Sequence, residues 1–62
     1  MENDGMYLCR CINVPKAGLF VKNNYYKWTY LIDGYRVWDS EGNRWDLGEI
    51  AFYIHFQIIK ST

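Results

Sequence analysis

Tyr26-Lys27-Trp28-Thr29-Tyr30-Leu31-Ile32 and Tyr35-Arg36-Val37-Trp38-Asp39, parted by Asp33-Gly34, are the stretch on which the fold turns. Both runs are rich in β-branched and aromatic residues, which suit a pleated, half-buried surface. Asp-Gly between two such runs predicts a two-residue hairpin, because a type I′ turn needs positive φ at both central positions. That turn sets a register with Ile32 opposite Tyr35, Leu31 opposite Arg36, Tyr30 opposite Val37 and Thr29 opposite Trp38. Trp28, Tyr30, Ile32, Tyr35 and Val37 then share one face, a candidate core. Lys27, Thr29, Leu31, Arg36 and Trp38 share the other, which faces solvent.

Upstream, residues 1–5 read as a flexible N-terminus, and Met6 to Val14 as a first strand closed by Pro15 and Gly18. Its alternation puts Tyr7, Cys9 and Cys11 on the core side and Arg10 outside. Downstream, Asp39-Ser40-Glu41-Gly42 is a turn with Gly42 in the left-handed region. A short strand, Asn43 to Leu47, returns with Trp45 and Leu47 inward and Arg44 and Asp46 outward. Gly48 interrupts it. Glu49 to Tyr53 shows neither alternation nor helical length, so a one-turn 3₁₀ helix is expected there. Phe56-Gln57-Ile58-Ile59 forms the last strand. Five short strands in one domain over residues 6–60 predict an all-β, five-stranded SH3-like barrel, closed by pairing the first strand with the last.

Sixty-two residues allow one domain, and a chain this short buries only about 60% of the surface its unfolded form exposes, so its stability is marginal. Half the residues are apolar and 19% are aromatic. Large rings supply buried area quickly, so the aromatic excess has a structural reason before a functional one. The formal net charge is zero, which argues against electrostatically driven binding to nucleic acid. Charge is nonetheless uneven. Arg10, Lys16, Lys22 and Lys27 precede a stretch in which Asp33, Asp39, Glu41, Asp46 and Glu49 outnumber Arg36 and Arg44. Cys9 and Cys11 are two apart on one strand, point the same way, and form no disulfide framework. Reduced, buried thiols in a cytoplasmic protein are the expectation. The N-terminus lacks a positive n-region, and the apolar stretch from Ile50 to Ile59 is too short to span a bilayer.

The order of elements resembles short proteins from phages and prophages of low-GC Gram-positive bacteria. The resemblance rests on Cys11-Ile12, then Lys22-Asn23-Asn24-Tyr25-Tyr26, then Tyr35-Arg36-Val37-Trp38-Asp39-Ser40-Glu41-Gly42, then Phe52-Tyr53-Ile54-His55-Phe56-Gln57-Ile58-Ile59. Such proteins are similar to SH3-like barrels and are mostly of unassigned role. The resemblance implies the fold and a phage origin, and no active site. One departure is that Asn23-Asn24 stand where those proteins carry glycine in a Lys-Gly turn. Asparagine tolerates the left-handed region, so the turn remains feasible.

Chemistry finds little footing. His55, the single histidine, lies in an apolar run and reads as a packed ring. Cys9 or Cys11 with His55 would imitate a thiol–imidazole pair, but no spacing favours it. Cys-x-Cys with one histidine falls short of the four ligands of a structural zinc site. No phosphate loop, paired carboxylates or cofactor motif is present. What remains is a non-catalytic protein-interaction module; the resemblance implies a phage accessory protein that binds a host or phage protein, with inhibition of that protein as one form this takes. The expected partner face is Lys27, Thr29, Leu31, Arg36 and Trp38, since tryptophan and arginine dominate binding hot spots. The alternative for Trp38 is a place over the sheet edge or under the Pro15–Asn24 loop. The second functional reading is a nucleic-acid-binding small barrel using Lys16, Lys22, Lys27, Arg36 and Trp38. Self-association is compatible with both, through an open strand edge or across Trp38.

Overall fold

The structure, a computed structural model, describes residues 7–59. The expected flexible segment 1–5, the first residue of the expected first strand and residue 60 of the expected domain lie outside them. Along the chain run β1 (Tyr7–Cys11), β2 (Tyr25–Leu31), β3 (Gly34–Trp38), β4 (Arg44–Leu47), α1 (Glu49–His55) and β5 (Phe56–Ile59). The strands make one antiparallel sheet in the order β4-β3-β2-β1-β5.

The first and last strands do pair, from Leu8 opposite Ile59 to Cys11 opposite Phe56. They do not close a barrel. The outer strands β4 and β5 share no ladder, so the expected SH3-like barrel is corrected to an open sheet. The space between the two edges is filled by side chains where a closing ladder would have to run. Phe20 sits with its ring 5.7 Å from Trp45 of β4 and 5.2 Å from Phe56 of β5. The helix that links β4 to β5 packs on both and on β3.

That helix is the second correction, since the expected 3₁₀ turn is an α-helix of seven residues reaching His55. It opens with an i→i−4 bond, the Phe52 amide donating to the Gly48 carbonyl at 2.9 Å. Phe52 is its one fully buried residue, and Phe56, the extended residue that follows it and opens β5, is buried beside it. Its C-terminal carbonyls are satisfied from the bend after β1. The amides of Ile12 and Asn13 donate to the His55 carbonyl at 2.8 and 3.2 Å, and Asn13 Nδ2 donates to the Ile54 carbonyl at 2.8 Å. So short a helix is held by tertiary bonds rather than by propensity. The same bend ends β1 at Cys11, three residues before the expected Val14.

The hairpin reverses one residue earlier than expected. Trp28 faces Val37, Thr29 faces Arg36, Tyr30 faces Tyr35 and Leu31 faces Gly34. Ile32 and Asp33 occupy the turn, and neither has positive φ, which rules out type I′. Gly34 lies within β3 and is needed for clearance: a Cβ there would run into the Leu47 carbonyl of β4. We expect Gly34→Ala to cost about 1–3 kcal/mol, because backbone rather than a flexible side chain must move. A lower urea midpoint with unchanged slope is the reading that checks it. Moving the reversal by one residue shifts each partner by two, so the two faces keep their membership. Only burial changes. Tyr30 and Ile32, expected in the core, are 61% and 104% exposed, because seven residues of helix cannot reach the hairpin tip.

The buried cluster is Cys9, Cys11, Phe20, Tyr26, Trp28, Val37, Phe52 and Phe56, with Leu19, Tyr35, Trp45, Leu47 and Ile58 packed against it. It lies entirely on the α1 side of the sheet. The 12–24 loop contributes Phe20 and turns through Asn23 at φ 74°, whose amide donates to the Cys11 carbonyl at 2.7 Å. Asparagine thus serves in the left-handed position that glycine usually takes.

Candidate functional site

Among the described residues, no side chain on the face away from α1 is buried; each is half-buried or exposed. Lys27, Thr29, Leu31, Arg36 and Trp38, the expected partner face, all stand there, brought together by the β2–β3 register. The neighbouring strands widen the set. Leu8 lies between Ile59 and Lys27, and Trp38 lies beside Arg44. Extending the β2–β3 register by one pair puts Lys27 across from Trp38. One row therefore crosses all five strands: Ile59, Leu8, Lys27, Trp38, Arg44. Flanking rows carry Gln57, Arg10 and Tyr25 on one side and Thr29, Arg36 and Asp46 on the other.

Among the described residues this face holds four cations (Arg10, Lys27, Arg36 and Arg44) against the single carboxylate of Asp46. The chain as a whole is neutral, so the zero net charge conceals a one-sided distribution. Arg36 donates from Nε and Nη2 to the two oxygens of Asp46 at 2.7 and 3.1 Å. The fork holds the Asp46 carboxyl below its ordinary range and raises Arg36. Both partners are solvent-exposed enough that the pair orients the guanidinium more than it stabilises the fold. Arg10 is likewise tethered, donating to Gln57 Oε1 at 2.8 Å.

Trp38 is half-buried and forms one wall of a shallow groove with Tyr25, Lys27, Asp39, Ser40 and Gly42. The Pro15–Asn24 loop does not lie over it. That loop sends Phe20 into the core on the opposite face, and its Leu19 carbonyl accepts from the Ser40 amide and hydroxyl at 3.0 and 2.9 Å. Lys16 and Lys22 ride on the same loop, outside the strands that carry Lys27, Arg36 and Trp38.

Asp39, which also lines the groove, is buried and directly follows β3. Its Oδ1 accepts from the amides of Glu41 and Asn43, both at 2.9 Å, and its Oδ2 accepts from the Trp45 indole at 2.8 Å. Burial alone would raise this carboxyl, but the Trp45, Asn43 and Glu41 donors outweigh it and hold Asp39 below the usual carboxylate range. Gly42 closes the turn at φ 83°, as the sequence predicts.

Elsewhere the reactive residue types have structural occupations. His55 Nδ1 is 2.9 Å from the Asn13 carbonyl, and the Cys9 thiol lies 3.4 Å from the Tyr26 carbonyl. Both cysteines are free, and burial pushes Cys9 up to about 12 and raises Cys11 as well. Thiols so protonated are poor nucleophiles. Among the described residues no three His, Cys, Asp or Glu side chains gather as a metal site. No described helix is long and apolar enough to cross a membrane.

Sequence reasoning had read Arg10 and Arg44 as outward but had not joined them to the partner face, and it missed Leu8, Tyr25 and Ile59. Strand alternation marks each of them. The register across β1 and β5, which makes them neighbours of Lys27, is set by non-local pairing. No protein-family model, curated protein or solved structure matches the chain.

Proposed function

We propose that this chain is a non-catalytic binding module that docks an acidic protein surface onto the open face of its sheet. The observation that carries this is the central row, in which Trp38 sits between Lys27 and Arg44 and continues into exposed Leu8 and Ile59. An aromatic anchor with aliphatic neighbours and a charged rim is the anatomy of a protein interface. The tethered arginines favour the same reading, since pre-positioned side chains lose less entropy on binding. The aliphatic members have no partner on a phosphate backbone. In the setting that the resemblance implies, the module is a phage accessory protein acting in the bacterial cytoplasm, where it binds and inhibits a host or phage protein.

The test compares proteins captured from a bacterial host lysate by the wild type, by Trp38→Ala with Lys27→Glu, and by Val21→Ser on the exposed 12–24 loop. Specific partners are expected to survive Val21→Ser and to lose at least about 30-fold in affinity in the open-face variant, the effect of a hot spot worth about 2 kcal/mol. Equal recovery by all three would remove the open face from the function. A parallel titration with single- and double-stranded DNA at low salt addresses the other polyanion. Binding there, with a steep salt dependence and quenching on Trp38, would replace the protein partner with nucleic acid.

A further inference from the structure

We infer that the chain pairs with a second copy of itself along the outer edge of β4, antiparallel and in one register, so that two sheets become one. This rests on the backbone and the charges of that edge and does not depend on the open-face reading. The β3–β4 ladder fixes which backbone groups of β4 are free. Opposite residues in an antiparallel pair alternate between exchanging both amide bonds and exchanging none. The Asp39 amide donates to the Asn43 carbonyl at 2.9 Å, so the ladder bonds there and again at Val37 with Trp45 and at Tyr35 with Leu47. Arg44 and Asp46 therefore turn their N–H and C=O groups to the outer edge, beyond which the sheet has no strand. The opposite edge is poorer. There Phe56 and Ile58 face outward, since the Ile12 amide donates to His55 and so sets the bonded pairs of β1 with β5 at Gln57 and Ile59. The Phe56 amide is already spent on the Phe52 carbonyl.

Charge makes the occupant another copy. The side chains of Arg44 and Asp46 are both exposed, and charges on an edge ordinarily keep it from pairing. Here they are opposite in sign and two residues apart, which makes the edge complementary to itself. With Arg44 of each copy opposite Asp46 of the other, both pairs exchange their free amide bonds and set unlike charges side by side. A slip of two residues puts Arg44 on Arg44 or Asp46 on Asp46, and a slip of one sets free groups against spent ones. One register is thus favoured and its neighbours are penalised. In that register Asp46 keeps its fork with Arg36 and gains a second cation from the other copy. Trp45, half-buried, meets its own counterpart on the α1 side, at a pair where cross-strand side chains stand closest. The acids beyond the ends of β4 stand clear of the edge. The Glu41 amide is bound back to Asp39, and Glu49 lies over the hairpin tip beside Tyr30 and Tyr35. The two-fold axis runs normal to the joined sheet. Both open faces then lie side by side on one surface, ready for a repeated or dimeric partner with a gain from multivalency.

Sedimentation equilibrium of the full chain between about 1 and about 500 µM tests this, with amide exchange followed residue by residue at both ends of the range. The 7.5 kDa chain is expected to reach twice that mass, and the Arg44 and Asp46 amides to slow at the high end while the Ile58 amide does not. Arg44→Asp and Asp46→Lys, each alone, oppose like charges across the edge and are expected to weaken self-association at least about 10-fold. Mixed in equal amounts they restore unlike charges in both pairs and are expected to form the dimer that neither forms alone. Circular dichroism checks that both variants fold. Should Asp46→Lys, which gives up the Arg36 fork, fail to fold, Arg44→Asp and the wild-type amides decide. Monomeric wild type at the highest concentration overturns the inference. So does a dimer that Arg44→Asp leaves at full strength, one that slows Ile58 in place of Arg44 and Asp46, or one that Trp38→Ala dissolves.

Discussion

Phe52→Ala is expected to leave most of the chain unfolded at room temperature. Phe52 is wholly buried and is the one side chain of α1 that enters the core. Its ring stacks on Tyr35 at 4.2 Å and 7°, and lies 5.6 Å from both Trp28 and Phe56. Truncating a buried phenylalanine costs about 3–5 kcal/mol, from lost transfer energy and the cavity left behind. At about 0.05–0.15 kcal/mol per residue, a chain of this length holds only about 3–9 kcal/mol in all. The loss is compounded because α1 is too short to persist without its anchor. Phe52→Leu keeps most of the volume and is expected to fold with a lowered urea midpoint. Circular dichroism and urea titration read both. A cooperative transition near the wild-type midpoint in Phe52→Ala would mean that the aromatic cluster is not the keystone of the fold.

The same ring shows what the sequence made legible and what it did not. Strand identities, the inward set Trp45 and Leu47 and the solvent face of Lys27, Thr29, Leu31, Arg36 and Trp38 follow from alternation, and the left-handed Gly42 from turn chemistry, both of which are local. Alternation also protected the face assignment when the hairpin reversed one residue early, because a two-residue partner shift preserves parity. The turn itself was misread. Asp33-Gly34 carries the pattern of a type I′ reversal, yet Gly34 is selected by the nearness of the Leu47 carbonyl, a tertiary fact that no dipeptide reveals. Helix α1 is two residues longer than the expected 3₁₀ turn and α-helical, and the sequence hides this because α1 is apolar on both sides, which erases the contrast that marks amphipathic helices. Its outer residues look like core in the sequence and are surface in the structure. The barrel failed for a related reason: pairing of β1 with β5 was foreseeable, but whether the outer strands meet depends on how much aromatic volume lies between them.

Asp39→Ala is expected to lower stability at neutral pH and to flatten its fall in acid, while Asp39→Asn separates the two causes. In the wild type, three donors converge on this carboxylate: two amides on Oδ1 and the Trp45 indole on Oδ2. Alanine orphans all three, and loosening Trp45 exposes the side of Phe20 that it covers. Asparagine can keep its Oδ1 on the two amides, but its Nδ2 then faces the indole N–H, donor against donor. Because the folded carboxyl titrates below its ordinary value, the stability it confers is complete above an unfolded value of about 4. That stability drains away as pH falls through the lower, folded value. Asp46, lowered by Arg36, adds a contribution of the same sign. Urea midpoints measured from pH 7 to pH 2.5 should therefore hold level in the wild type down to about pH 5 and then drop. Asp39→Asn should start lower at neutral pH and drop less in acid, with only Asp46 of the pair still contributing. Placing Asp39→Asn in a Trp45→Phe background removes the donor clash, and there the substitution should cost much less at pH 7. If the cost is undiminished in that background, the indole bond is incidental. The β3–β4 turn, and with it the wall of the groove beside Trp38, would then be held by the two backbone amides alone.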